Sequence, residues 1–205
     1  MIFGSNFLDA LKLTNDEFTD IINNNPSLRG VIIGYTAEKM LKKIFANDNR
    51  IQSLHKDDDH DRSKKGDLNV VYKNYTFRFE CKSLQTNSIK KNKASAPFEM
   101  IGNYQCDASD CREIILKNNN KVKTTCLQVG EFDILAINMF AFNNKWDFAY
   151  ILNKDLPRTK SSKYSDEDKQ FLLHTLPKIT LPLQEPYVND PFILMDKLIS
   201  YNTTI

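Results

Sequence analysis

Three side chains in the first half of the sequence could do chemistry together: Asp67, then Glu80 thirteen positions on, then Lys82. From Thr76 to Ser83 the residues alternate, with Phe77, Phe79 and Cys81 on one face and Arg78, Glu80 and Lys82 on the other. A strand of that pattern holds Glu80 and Lys82 side by side, about 7 Å apart by strand rise. Two carboxylates offer hard oxygen donors that hold Mg²⁺ while leaving room for waters and a phosphate. The metal acidifies a water and offsets the charge growing on the phosphate. A lysine beside it can orient or deprotonate that water, and its charge stabilises the pentavalent state. A plainer reading makes Arg78, Glu80 and Lys82 the wet face of a hairpin, with Glu80 an ordinary cross-strand ion partner.

The elements that must position these residues can be read from the same sequence. Thr14-Asn-Asp-Glu17 is a capping box that opens a short helix ending near Asn23–Pro26. Val31, Ile32, Tyr35, Met40, Leu41, Ile44 and Phe45 recur at helical spacing, which predicts a helix over about 27–46, with Gly34 a point where it could divide. Residues 56–66 form a polar loop. Leu68, Val70 and Tyr72 then alternate as a strand, Lys73-Asn74 is a tight turn, and the run to Ser83 closes a hairpin that brings Asp67 towards Glu80. Further on, a short helix is predicted over Ala96–Gln105, and a second hairpin from 112–116 and 122–127. Residues 132–142 are nearly all apolar, as in a central strand covered on both faces. Another strand runs over Trp146–Leu152, with Trp146, Phe148 and Tyr150 read as core. Ser165 caps a helix carrying Phe171, Leu172, Leu173 and His174, the Pro-rich stretch 177–191 is irregular, and Pro191 starts a last helix. That order predicts an α/β fold with a mixed central β-sheet flanked by helices.

Gly66-Asp67 followed by Phe79-Glu80-Cys81-Lys82-Ser83 resembles the PD-(D/E)XK nuclease signature, with Gly in place of Pro. The helix around Gly34-Tyr-Thr-Ala-Glu38 resembles the helix that precedes the catalytic hairpin in that superfamily. The resemblance covers roughly residues 30–152, and a chain this small looks most like a type II restriction endonuclease of a restriction-modification system. It implies catalytic roles for Asp67, Glu80, Lys82 and Glu38, and metal ligation at Asp67, Glu80 and Cys81. It also implies Mg²⁺ as cofactor with Mn²⁺ able to substitute, double-stranded DNA as substrate, and a homodimer, because palindromic sites call for two-fold symmetry. For Glu38 an equal alternative is an exposed helix residue pairing with Lys42. A structure-specific repair or junction nuclease is a rival within the same chemistry. A DNA-binding module on a degenerate nuclease fold, or an unrelated α/β protein with an incidental E-x-K, are rivals outside it.

Candidate DNA contacts lie nearby. No acid falls between Lys82 and Glu99, while Lys90, Lys91 and Lys93 do, which suits phosphate contact or a solvated loop. A second basic stretch carries Lys154, Arg158, Lys160 and Lys163. Gln105, Asp107, Ser109, Asp110 and Arg112 include side-chain types that read base edges; the aspartates serve turns and caps equally well, and Arg112 suits either nucleic acid or a carboxylate. Gln85, three residues after Lys82, reads as a surface residue. The acidic run Asp57–Asp61 reads as a solvated loop, and a zinc site from Cys106, Cys111 and Cys126 lacks the common spacing.

Length and composition fit one domain over 1–205, in which the resemblance implies a nuclease catalytic core over about 30–152, with a helical and irregular extension over 153–205. Hydrophobic residues are 41%, charged residues 26% and the net charge is +2, ordinary for a globular protein and too small to announce a nucleic-acid partner by itself. No apolar run reaches the ~20 residues of a membrane span. The N-terminal residues lack a basic n-region and do not read as a secretory signal. Four cysteines without a CxxC pair read as reduced thiols of a cytoplasmic protein.

Overall fold

The structure, a computed structural model, describes residues 6–56, 66–92 and 99–202. The helices are α1 (Phe7–Leu11), α2 (Asn15–Asn24), α3 (Pro26–Ala46), α4 (Phe140–Asn143), α5 (Asp166–Lys169) and α6 (Pro191–Asn202). The strands are β1 (Ile51–His55), β2 (Leu68–Tyr72), β3 (Tyr75–Ser83), β4 (Lys90–Asn92), β5 (Glu99–Asn103), β6 (Asp107–Ile115), β7 (Lys121–Cys126), β8 (Ile134–Asn138), β9 (Phe148–Leu152) and β10 (Lys178–Leu181). The described residues fall into two units, one ending at Thr36 and one beginning at Ala37, and α3 contributes to both.

In the first unit the predicted capping box is present. The Glu17 amide donates to Thr14 Oγ1 at 3.2 Å, and the Thr14 amide donates to the Glu17 carboxylate at 2.8 Å. Two orphan donors of α2 are thereby satisfied. The α3 backbone stays helical through Gly34 rather than dividing there.

The second unit is built on a five-stranded sheet in the order β1-β2-β3-β8-β9. β3 and β8 run parallel and the other neighbours antiparallel, so the sheet is mixed, as expected. Lys73 and Asn74 turn the β2–β3 hairpin with φ of 50° and 63°, left-handed values whose twist matches the flanking strands. β8 and β9 are buried at every position, which is why their sequences are apolar apart from Asn138 at the end of β8.

Phe77, Phe79, Ile134, Ala136 and Tyr150 form one face of the sheet, packed with Leu41 and Phe45 of α3 and Phe192 and Met195 of α6. Phe79 meets the ring edges of Phe45 at 4.9 Å and Tyr150 at 6.4 Å; full burial of one such ring stabilises by about 2–3 kcal/mol. The opposite face, with Leu135, Ile137 and Ile151, packs with Tyr104, Cys106, Phe142 of α4, Leu173 and Ile179. A second sheet, β10-β5-β4, belongs to that side. Trp146 is a partly buried neighbour of the first core and stacks on Phe140 at 4.5 Å. Among the described residues no helix is long and apolar enough to cross a membrane.

The structure corrects two predicted helices. Residues 99–103 form strand β5, paired on one side with β10 and on the other with β4. Its partner β10 lies more than seventy positions away, so local propensity carried no sign of it. A Cβ on Gly102 would sit 2.7 Å from Ile89 Cδ1 and 3.1 Å from the Phe142 ring, so a larger residue would have to push both side chains aside. Ser165 does cap a helix, its hydroxyl accepting from the Asp168 amide at 3.1 Å, but α5 ends at Lys169. Leu172 and Leu173 are extended instead, bridging to Gln128 and Arg158. They belong to two different cores, and adjacent residues point to opposite sides only in an extended chain. His174 therefore lies beyond any helix.

Candidate active site

Asp67 immediately precedes β2, and the hairpin register sets Leu68 opposite Phe79. The Asp67 amide donates to the Phe79 carbonyl at 2.7 Å, and the Cys81 amide donates to Asp67 Oδ2 at 2.7 Å. The ladder thus continues one step past the end of β2, with a side-chain oxygen standing where a strand carbonyl would be. Gly66 makes the approach possible, because its φ is +89° and a Cβ there would lie 3.0 Å from the Phe79 carbonyl oxygen.

Glu80 and Lys82 project from the other face of β3, as the alternation predicted. Glu80 is 9% exposed, and Lys82 Nζ lies 2.8 Å from its Oε1. Asp67 retains some open surface, yet burial pushes its carboxyl up to about 7, with the Glu80 charge adding to the effect. Burial works to lower Lys82, but the Glu80 and Asp67 carboxylates outweigh it and raise Lys82 above its ordinary value. At neutral pH the lysine is therefore a held cation. Structure brings together the three residues singled out from sequence.

Glu38 on α3 contributes a further charge that raises Asp67. Its ion partner is Lys56, at 2.7 Å, rather than Lys42. Burial raises the Cys81 thiol well above its ordinary value and pushes Cys106 up to about 12, so neither supplies a thiolate. What Cys81 can offer is its carbonyl, which leaves β3 on the same side as the amide bonded to Asp67. Two carboxylates and a carbonyl form an all-oxygen donor set, which fits a hard divalent cation. Among the described residues no three His, Cys, Asp or Glu side chains converge as a metal cage, so Cys106, Cys111 and Cys126 form no such group.

Two residues beside Lys82 were read from the sequence for other roles, Asp107 as a base-edge or turn residue and Cys106 as one of three cysteines for a zinc site. Asp107 and Cys106 both feel its charge, and Gln105 links Gln85 at 3.3 Å to Asp107 at 3.4 Å. An isolated bridge between Leu84 and Tyr104 brings this segment to β3. No local pattern marks a bridge of one residue pair, so the sequence held no signal for it.

The predicted DNA contacts are dispersed. Lys90 and Lys91 are exposed on β4 and Gln105 is exposed before β6, while Lys93 and the run Asp57–Asp61 lie outside the described residues. Arg112 meets a carboxylate: its guanidinium grips Glu131, with Nη2 at 2.6 Å from Oε2. Arg158 donates to the carbonyls of Lys154, Leu156 and Gln170, so it organises its loop.

No family model and no curated protein matches the chain. Among solved structures, a bacterial homing endonuclease, I-Ssp6803I, aligns with 68% of this chain and 85% of its own, at 15% identity and a TM-score of 0.36.

Proposed function

We propose that the chain is a Mg²⁺-dependent endonuclease that hydrolyses phosphodiester bonds of double-stranded DNA, acting as a sequence-specific type II restriction enzyme. The observation that carries this reading is the convergence of Asp67, Glu80 and Lys82 at one end of β3, with Asp67 fastened to the Cys81 amide and Lys82 to Glu80. Asp67, Glu80 and the Cys81 carbonyl would hold the metal, which supplies an acidified water and charge for the scissile phosphate. The water oxygen bonds to phosphorus as the bond from phosphorus to the leaving ribose oxygen breaks, and the water proton leaves to solvent. Lys82 orients the water, and its charge offsets the charge on the phosphate. Glu38 and Lys56 stand beside this centre as a positioning pair. Recognition of a palindromic site would call for a homodimer.

Incubation of the purified chain with unmethylated phage DNA, with Mg²⁺ or EDTA and beside a Lys82→Ala variant, tests the reading. Discrete bands that need Mg²⁺ and vanish in the variant support it. A smear keeps the nuclease and replaces site specificity with the repair or junction alternative. Full activity in Lys82→Ala, or no cleavage by folded protein under varied salt and metal, overturns the site.

A further inference from the structure

β6 and β7 form a two-stranded ribbon that belongs to neither of the other sheets. One end starts at Asp107, beside Lys82. β6 bulges between Asp107 and Arg112, so the ribbon's reach is set by β7, from Cys126 opposite Asp107 to Lys121 opposite Ile115, about 17 Å at the rise of an extended strand. Asp107 and Asp110 lie at the base, while Lys117, Lys121 and Lys123 lie at the far end, where Glu113 stands opposite Lys123 and pairs with Lys121 at 2.6 Å. Lys163 adds to that end by donating to the Lys123 carbonyl at 2.6 Å. Four lysines therefore stand at the end away from Asp67 and Glu80, with Glu113 and the acids of α5 among them.

The tip is ordered by its own bonds. Asn118 and Asn120 both donate through their side-chain amides to Asp168 Oδ1 at 2.9 Å. The Leu116 amide donates to the Asn120 carbonyl, the Asn119 amide returns to the Leu116 carbonyl, and Asn119 takes a φ of 66°. On the inner side, Ile114, Leu116, Val122 and Cys126 pack with Leu172 and Tyr164. Lys117, Asn119, Lys121 and Lys123 are left exposed. A solvated loop has no need of two asparagines spent on one aspartate, whereas a binding arm gains affinity from a tip fixed before contact.

We propose that the β6–β7 ribbon is a duplex-binding arm whose tip, Lys117, Asn119, Lys121 and Lys123, seats on the DNA that is cut at Asp67, Glu80 and Lys82. This rests on the nuclease reading above. A major groove about 12 Å wide admits a two-stranded ribbon, and about 17 Å corresponds to some five base pairs at 3.4 Å each. Lysines at the tip neutralise phosphates, and Asn119 is of the residue type that reads adenine.

The test compares wild type, Lys117→Ala/Lys123→Ala and Lys117→Arg/Lys123→Arg, each shown to be folded by near-ultraviolet circular dichroism. Affinity for a long duplex is measured across a salt series with Ca²⁺ in place of Mg²⁺. The alanine pair should bind about tenfold more weakly and lower the salt slope by roughly 0.9 per lysine. The arginine pair should restore both. Unchanged affinity and slope in the alanine pair, or an arginine pair as weak as alanine, overturns the arm and leaves the catalytic reading standing. A wild-type chain that neither binds nor cuts duplex DNA takes down both.

Discussion

The Cys81 amide donates to Asp67 Oδ2 at 2.7 Å, across fourteen positions of sequence. A backbone group of the β3 strand thus fixes the orientation of a carboxylate that burial would otherwise disfavour in charged form. Asparagine in the same place keeps an acceptor for that amide and removes the charge. Its effect separates what Asp67 does for the fold from what it does for the metal.

Asp67→Asn is expected to be more stable than wild type at pH 8 without metal, and to cut DNA about 10²–10³-fold more slowly. With the folded carboxyl raised to about 7 from 3.8, the folded chain holds a proton between those values that the unfolded chain has released. Wild-type stability therefore falls as pH rises from about 4 to about 7 and levels above, by on the order of 2–4 kcal/mol. Denaturant melts of both chains across that range should show the slope in wild type and its loss in the variant. A variant less stable at pH 8 would refute the account of Asp67.

The same proton would compete with the metal of the proposed site. Below about pH 7 each unit of acidification should weaken Mg²⁺ binding by about tenfold, and above it affinity should level off. Calorimetric titration at several pH values checks this. Affinity that is flat from pH 5.5 to 8 would remove Asp67 from the ligand set.

Much of this centre was legible because it depends on local rules. The period of two over Phe77–Lys82 fixed which side chains share a face, and Lys73-Asn74 announced the hairpin that aligns Asp67. β8 and β9 declared themselves as apolar runs because both their faces are covered. What stayed hidden depends on partners distant in sequence. Glu38 took Lys56 rather than Lys42 because β1, a short edge strand without a clear pattern, returns the chain towards α3. β5 read as a helix because its partner β10 lies in a stretch marked only by prolines. Asp107 joined Lys82 through a single bridged pair, which leaves no period behind.

Arg112 and Glu131 make a second testable pair. The guanidinium and the carboxylate meet at two contacts, Glu131 is nearly closed to solvent, and Arg112 Nε is buried without a partner. Removal of one charge strands the other, which costs about 3–5 kcal/mol. Glu131→Ala should lower the thermal midpoint accordingly, while Arg112→Met/Glu131→Met should recover much of the loss. If Arg112→Met alone leaves stability intact but weakens DNA binding, the arginine serves nucleic acid and the ion pair is incidental.

Gly66 occupies the position where the resembled signature has proline, and restoring that proline should harm the protein. Proline holds φ near −65°, whereas Gly66 sits at +89° with no room for a Cβ beside the Phe79 carbonyl. That carbonyl accepts the Asp67 amide at 2.7 Å, so any shift at Gly66 moves Asp67 directly. Displacement of a reacting group by about 1 Å can lower a rate on the order of 10²-fold. Gly66→Pro should therefore cut DNA at least that much more slowly than wild type, and the Cys81 amide should lose protection from hydrogen exchange as its bond to Asp67 loosens. Gly66→Ala should fall between the two, since alanine tolerates a left-handed backbone at a cost of about 1–2 kcal/mol. A proline variant that cuts as fast as wild type, with the Cys81 amide still protected, would show that the left-handed turn before Asp67 has no part in setting the carboxylate.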